Sequence, residues 1–379
     1  MARKKIVILF PLQHLAFSPT TLGLYDALSQ HADVTIYAPL PKSLKAEDIG
    51  GRNVRFFKFD TNRSRKIKAL PTFLLNKVRS IFDRSFPLKK LHIYDYLRYH
   101  EYKNALSENK DQYDEVIAVD MTMIYLSQFF YKNASFLSLE LTGLELPLLK
   151  AVKNDFIKAV IVQTPQRYEY LFGAVQHKTF FVQNAPTFVP LPEINKKNNS
   201  LLYNGTAAPW FGLYQCLDFV KAYPQFSITL KGAVGQDEKA TINTNYGDLI
   251  ADGKIILNQD YMESKDMLAF LAQFEIGFCF YDLSFPKMNT FNYHTAPSGK
   301  MFAYFASGVP VIGNYLDGLK VVEDFQAGIL VKDFSPATIL EAVNKIKSNY
   351  SFYRDNCLKA AAHYSFDKNI APFVDFIIK

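Results

Sequence analysis

Short, nearly uninterrupted apolar runs recur along this chain and alternate with longer stretches of helical spacing. In the first half the runs lie near 4–10, 33–38, 54–59, 115–119, 135–140, 159–163 and 179–183. They do not alternate apolar with polar, so each strand is expected to be covered on both faces, as in a parallel sheet flanked by helices. Pro186, Pro190, Pro192 and the polar run Asn195 to Ser200 then interrupt the rhythm. It restarts near 200–204, 226–231, 254–257, 275–281, 309–313 and 328–332. The sequence therefore predicts an α/β protein of two doubly wound domains, 1–186 and 200–362. A tail, 363–379, carries Phe366, Ile370, Phe373, Val374 and Ile377 at helical spacing. Ligands of such open sheets bind beyond the carboxyl ends of the strands, so the loops that follow strands are where function is expected.

Composition narrows the class. With 49% hydrophobic and 21% charged residues, the chain is neither disordered nor low in complexity. Three cysteines, Cys216, Cys279 and Cys357, are too few and too scattered for a disulfide framework or a zinc ribbon. No apolar run reaches the roughly 18 residues of a membrane-spanning helix. After the basic start Arg3-Lys4-Lys5, the first apolar run is cut short by Pro11, Gln13 and His14, so a first strand is expected there and not a secretory leader. The expected location is cytoplasmic. The net charge of +7 is concentrated in 61–90, which holds nine basic residues against Asp83 alone, a local excess of +8. The remainder is near neutral, so a nucleic-acid partner is not expected.

Several strong motifs are missing. No G-x-G-x-x-G follows the first strand, no complete phosphate loop surrounds Ser298-Gly299-Lys300, and no G-x-S-x-G, D-x-D, H-x-x-H or C-x-x-C occurs. No cofactor or metal is therefore expected. In the run Ala296 to Ile312, Pro297 and Gly299 open a helix, Gly308 ends it and a buried strand follows. A helix start with free N–H groups beside a lysine suits a diphosphate, although the same pattern also describes an ordinary αβ unit.

This run resembles the donor segment of GT-B glycosyltransferases, especially those of family 4, with its pattern P-S-x-K-h-h-x-Y-h-A-x-G-x-P-V-I. Asn292 and Asp317-Gly318 fit the same segment. Leu202 to Thr206 with Gly212-Leu213 is similar to the opening of the donor domain, and Thr229 to Gly232 to its second strand and turn. In the first half, Phe136 to Glu140, Val160 to Gln163 with Arg167, and Val182 to Pro186 resemble strand ends of the acceptor domain. The match is collinear over roughly 4–370. It implies two Rossmann-like domains facing a central cleft, a tail helix crossing back to the first domain, a nucleotide-sugar held by the second domain, and an acceptor held by the first. Many family 4 enzymes carry two glutamates eight positions apart, for sugar and ribose. Thr295 and Ala303 stand there in this chain, which leaves that recognition to other groups.

The expected activity is metal-independent transfer of a sugar, of hexosyltransferase type, to a glycan or lipid-linked acceptor in surface polysaccharide biosynthesis. The alternatives are a non-catalytic sugar-nucleotide-binding or scaffold member of the fold and a sugar-nucleotide 2-epimerase. Without metal, the charge of a leaving diphosphate falls to lysines and helix N-termini. The donor-binding candidates are Gly205, Thr206, Lys231, Gly232, Asn292, His294, Ser298, Gly299, Lys300, Met301, Asp317 and Gly318. The catalytic candidates are Glu140, His14 and Asp120, each just after a strand. Trp210, the single tryptophan, is read either as a wall of the site or as packing. Residues 63–90 place cations along an apolar helical face, which suits peripheral contact with an anionic membrane.

Overall fold

The computed structural model describes residues 3–40, 49–57, 74, 102, 105–106, 112–141, 145–192, 194–260, 262, 264–285, 288 and 290–379. Apart from Leu74, the basic segment 61–90 and the membrane-facing helix expected there lie outside the described residues. No helix among the described residues is long and apolar enough to cross a membrane.

The chain divides into two compact units, Met1–Val182 with Asp367–Lys379, and Gln183–Phe366. The first contains β1 (Lys5–Leu9), α1 (Pro19–Ser29), β2 (Asp33–Pro39), β3 (Val54–Phe57), β4 (Glu115–Val119), α2 (Asp120–Ser127), β5 (Ala134–Leu137), α3 (Glu145–Leu149), β6 (Ile157–Val162), α4 (Pro165–Phe172) and β7 (Lys178–Phe181). Its seven strands run in the order β3-β2-β1-β4-β5-β6-β7, all parallel. Ile6, Val7, Ile8 and Leu9 are completely buried, because helices cover both faces of a parallel sheet. Proline opens α1 and α4, where its missing N–H costs nothing. Thr164 caps α4 by accepting the Arg167 N–H.

The second unit contains β8 (Ser200–Asn204), α5 (Leu213–Ala222), β9 (Ser227–Lys231), α6 (Gln236–Ala251), β10 (Ile255–Asn258), α7 (Ser264–Leu271), β11 (Ile276–Cys279), α8 (Phe291–Thr295), α9 (Gly299–Ala306), β12 (Val311–Asn314), α10 (Val321–Asp324), β13 (Gly328–Val331), α11 (Pro336–Ser348) and α12 (Tyr350–His363). The strand order is β10-β9-β8-β11-β12-β13, again all parallel. Both sheets are doubly wound, with the order reversing between β1 and β4 in one and between β8 and β11 in the other.

The last helix, α13 (Phe366–Ile378), packs on the first unit, as the fold expectation required. Phe373 and Phe376 lie 5.4 and 5.7 Å from the Phe180 ring, and Lys4 Nζ donates to the Ile377 carbonyl at 2.8 Å. The proline-rich run 186–199, read as a linker, clusters with the second unit. Partly buried Lys196 holds it there by donating to the carbonyls of Ala272, Phe274 and Gly308. Burial pushes that ammonium down to about 8.

All thirteen expected strands are present; 115–119 and 200–204 match at both ends and others are shifted. β12 starts at Val311 and not at 309, because Pro310 has no N–H to give the ladder. β11 stops at Cys279 and not at 281. Beyond it, the Asn314 side chain takes both the N–H and the carbonyl of Tyr281, at 3.0 and 3.1 Å, in place of a strand neighbour.

Candidate functional site

In the second unit, α9 is fixed to the strands between which the order reverses. Its Tyr304 is wholly buried, and the hydroxyl accepts the Asn204 N–H at 2.8 Å and lies 3.3 Å from the carbonyls of Leu202 and Phe278. The ring lies where a Cβ on Gly277 would stand only 2.6 Å away. This anchor brings the start of α9 to the carboxyl ends of β8 and β11, where a doubly wound sheet binds ligands.

Lys300, on the first turn of α9, sends its ammonium into a cage of three rings. Nζ is 5.2 Å from the centre of Tyr203, 5.1 Å from Phe211 and 5.2 Å from Tyr281. These rings come from β8, the loop after β8 and the loop after β11. Among the described residues, Lys300 has neither a carboxylate partner nor a hydrogen-bond acceptor. Each ring contributes on the order of 0.5–2 kcal/mol, whereas withdrawing an ammonium from water costs several. Lys300 is half-buried, so the cage replaces only part of its water, and burial pushes the Lys300 ammonium below its ordinary value. An anion would complete the site. Next to it, the Tyr281 hydroxyl donates to Ser298 Oγ at 2.9 Å, and Ser298 precedes the free N–H groups of the helix start.

The notch beside the cage is made of backbone. Gly205 has φ +114° and Gly232 φ +138°, both in the region that favours glycine. A Cβ on Gly232 would stand 2.2 Å from the Gly205 carbonyl oxygen, whereas one on Gly205 would meet nothing within 4 Å. Thr206 is exposed here, and its carbonyl accepts the Tyr203 hydroxyl at 2.9 Å.

Other donor-side candidates are placed differently. Lys231 is buried, and its ammonium donates to Asn258 Oδ1 at 2.9 Å and the Asp260 carbonyl at 2.6 Å, so it ties β9 to the end of β10 and the segment after it. The Met301 side chain lies in the core and leaves only its backbone near the helix start. Buried Asn292 and partly buried His294 sit on the short helix α8. His294 and Asp317 line an open pocket of about 360 Å³ with Tyr315, Lys320 and Glu323. Gly318 lies against the Ala296 carbonyl, where a Cβ would approach to 2.2 Å. Thr295 spends its hydroxyl on the Phe291 carbonyl at 2.6 Å. Among the described residues no group of three or more His, Cys, Asp or Glu could hold a metal ion.

In the first unit, His14, Asp120 and Glu140 follow the adjacent strands β1, β4 and β5, at one end of the sheet. Asp120 has φ 57°, a left-handed conformation that aspartate tolerates at a cost of roughly 1–2 kcal/mol. Its Oδ1 accepts the N–H groups of Leu139 at 2.7 Å and Glu140 at 3.1 Å. From the other side, fully buried Arg167 donates Nη2 to the Leu139 carbonyl at 2.9 Å. Asp120 and Arg167 thus fix the turn that presents exposed Glu140. His14 is exposed, with its ring edge-on to Phe10 at 6.4 Å.

The sequence pointed to Lys300 and the glycines but not to the cage. Tyr203, Phe211 and Tyr281 look like strand and loop residues when read singly. A signal that could have found them is an aromatic at each strand end flanking one lysine, in a chain that is 15% aromatic.

No protein-family model matches this chain, and a search of curated protein sequences finds no match either. Solved structures do match over nearly the whole length. HepE of Anabaena, in complex with UDP and glucose, superposes with a TM-score of 0.65 at 13% identity, covering 99% of this chain and 98% of that one. An α,α-trehalose-phosphate synthase (UDP-forming) of Burkholderia xenovorans, in complex with glucose-6-phosphate, gives 0.63 at 10%, covering 99% and 100%. An E. coli trehalose-6-phosphate protein bound with UDP-2-fluoro glucose gives 0.62 at 12%, covering 99% of each. With two doubly wound sheets and full-length likeness to these proteins, the chain has the fold of the GT-B glycosyltransferases.

Proposed function

We propose that this protein is a glycosyltransferase that moves a sugar from a nucleotide-sugar donor, bound by the second unit, to an acceptor bound by the first. The observation that carries this reading is the Lys300 ammonium, caged by three rings at the β8–β11 reversal and lacking an anion among the described residues. A diphosphate at the start of α9 would supply that anion and meet the helix N–H groups as well. As the donor bond breaks, negative charge grows on the leaving diphosphate, and a preorganised cation and helix terminus stabilise it. The acceptor hydroxyl must lose a proton, and Glu140, held by Asp120 and Arg167, is the group assigned to take it or to stabilise the developing sugar cation. The neighbours solved with UDP, glucose and UDP-2-fluoro glucose support a nucleotide-sugar as the ligand class.

The finer reading follows the motifs in 296–312. It is a family 4-like, hexosyltransferase-type enzyme that needs no metal and works on a glycan or lipid-linked acceptor in surface polysaccharide assembly. The cationic segment 63–90 favours the inner face of an anionic membrane as the place of work. Calorimetry with UDP and GDP tests the core of the proposal. Lys300→Met is expected to weaken the preferred diphosphate by about 1.5–3 kcal/mol, and unchanged affinity would sink the anion site. Turnover is expected to survive EDTA; loss on chelation with recovery on Mg²⁺ would remove the metal-free part alone. The hydroxyl that Thr295 spends on its own helix favours a second reading, a non-catalytic nucleotide-sugar-binding member of the fold. Tight binding without turnover on any acceptor would select it.

A further inference from the structure

Two large aromatic rings remain at the surface beside the caged ammonium. Trp210 and Phe285 are each 37% exposed, with centroids 6.3 Å apart and planes at 72°. One comes from the loop after β8 and the other from the loop after β11, the two strands that flank the reversal. The loops are tied together, because the Asp282 N–H donates to the Trp210 carbonyl at 2.9 Å. The Asp282 carboxylate is itself held by the Ser284 N–H and Gln215 Nε2, both at 2.9 Å. The rings are thus a fixed feature of the surface.

Phe211 connects them to the anion site. Its ring centre is 5.1 Å from Lys300 Nζ and 6.1 Å from Trp210, so the indole lies within about 11 Å of the ammonium. That is the reach of one phosphate and the ring attached to it. Two rings at a steep angle form a corner and not a slot. A flat nucleobase stacks best on one face or between parallel faces. A puckered pyranose points C–H groups in more than one direction, and these fit the negative faces of two inclined rings. Polar groups are at hand for its hydroxyls. Among the described residues the Trp210 indole N–H has no acceptor, and Asp282 has used two of its roughly four acceptor positions.

Resting on the anion-site reading above, we propose that Trp210 and Phe285 form the subsite for the donor's sugar ring, with the attached phosphate directed at Lys300. Trp210 is the only tryptophan in the chain, beside 23 tyrosines, so fluorescence excited selectively in tryptophan reports on this corner alone. The test titrates UDP against UDP-glucose, and GDP against GDP-mannose, by tryptophan fluorescence on wild type and by calorimetry on wild type, Trp210→Ala and Trp210→Phe. The expected result is a fluorescence change that the sugar nucleotide produces and the bare diphosphate does not. Trp210→Ala should weaken the sugar nucleotide about tenfold and leave the diphosphate within about twofold. Trp210→Phe keeps an aromatic face and should retain most of the sugar-nucleotide affinity, which separates loss of the platform from loss of folding. Equal weakening of diphosphate and sugar nucleotide in Trp210→Ala would place the base on the corner and overturn the proposal. No weakening of either would reduce both rings to packing and also overturn it. If wild type binds none of the four ligands, the anion-site reading fails and this proposal fails with it.

Discussion

The carboxyl ends of the two sheets handle charge in opposite ways. In the first unit, the Asp120 carboxylate is turned inward on the chain, receiving two N–H groups of the Leu139–Glu140 turn while Arg167 takes the turn's carbonyl. In the second, the Lys300 ammonium is surrounded by rings and left without an anion among the described residues. The first arrangement spends these hydrogen bonds within the chain and positions a neighbour. The second is incomplete and therefore points to a ligand. The same contrast recurs between the two lysines of the second unit, since Lys231 has its acceptors and Lys300 does not.

The largest expected effect lies at the first-unit turn. Glu140→Gln should lower kcat on the order of 10²–10⁴-fold while donor affinity stays within about twofold, because a charge that acts near the transition state affects only the chemical step. Asp120→Ala should also lower kcat by displacing the turn, and Asp120→Asn, which keeps an acceptor, should restore much of it. A normal rate in Glu140→Gln would make this end of the sheet purely structural.

Stability separates the two lysines. Lys231→Met leaves the acceptors on Asn258 and Asp260 unpaired and should destabilise by about 2–4 kcal/mol in denaturant titrations. Lys300→Met replaces a half-buried cation that has rings but no anion around it with a side chain of similar length, and should be close to neutral. Equal destabilisation by both would erase the distinction between a tie and a binding group.

The smallest effect is on pH. Burial lowers the Lys300 pKa in the free protein, and a bound diphosphate raises it again. Binding therefore favours the protonated form. Affinity should be level below the free-site pKa and fall as pH rises through it, by up to about tenfold per unit, with proton uptake detected by calorimetry in buffers of different ionisation enthalpy. Lys300→Met should show no such slope above neutrality.

How far the sequence could be read follows from the range of the forces involved. The thirteen strands were legible because burial on both faces writes itself as contiguous apolar residues such as Ile6 to Leu9. Strand ends were less so. The Asn314 side chain replaces a ladder partner for Tyr281 across 33 residues of sequence, and no local pattern announces it. The helix start at Lys300 was legible from Pro297 and Gly299. Its cage was not, because Tyr203 and Phe211 arrive from β8 and the loop after it, roughly ninety to a hundred residues earlier in the chain. Lys231 read as a phosphate ligand because its acceptors belong to the neighbouring strand β10 and the segment after it, a sheet order that only the fold reveals. Met301 was carried in by the motif, although its side chain fills the core.

Tyr304 and Gly277 have a consequence for how this sequence can change. The hydroxyl that spans β8 and β11 requires the ring to lie flat over position 277, where even one methyl group would stand 2.6 Å from it. The two positions are in effect a single inherited choice. A lineage that acquires any side chain at 277 must surrender the tyrosine at 304, and with it the bond that holds the helix start over the strand ends. Drift at these two sites is therefore expected to be correlated, and relatives that keep the tyrosine should keep the glycine.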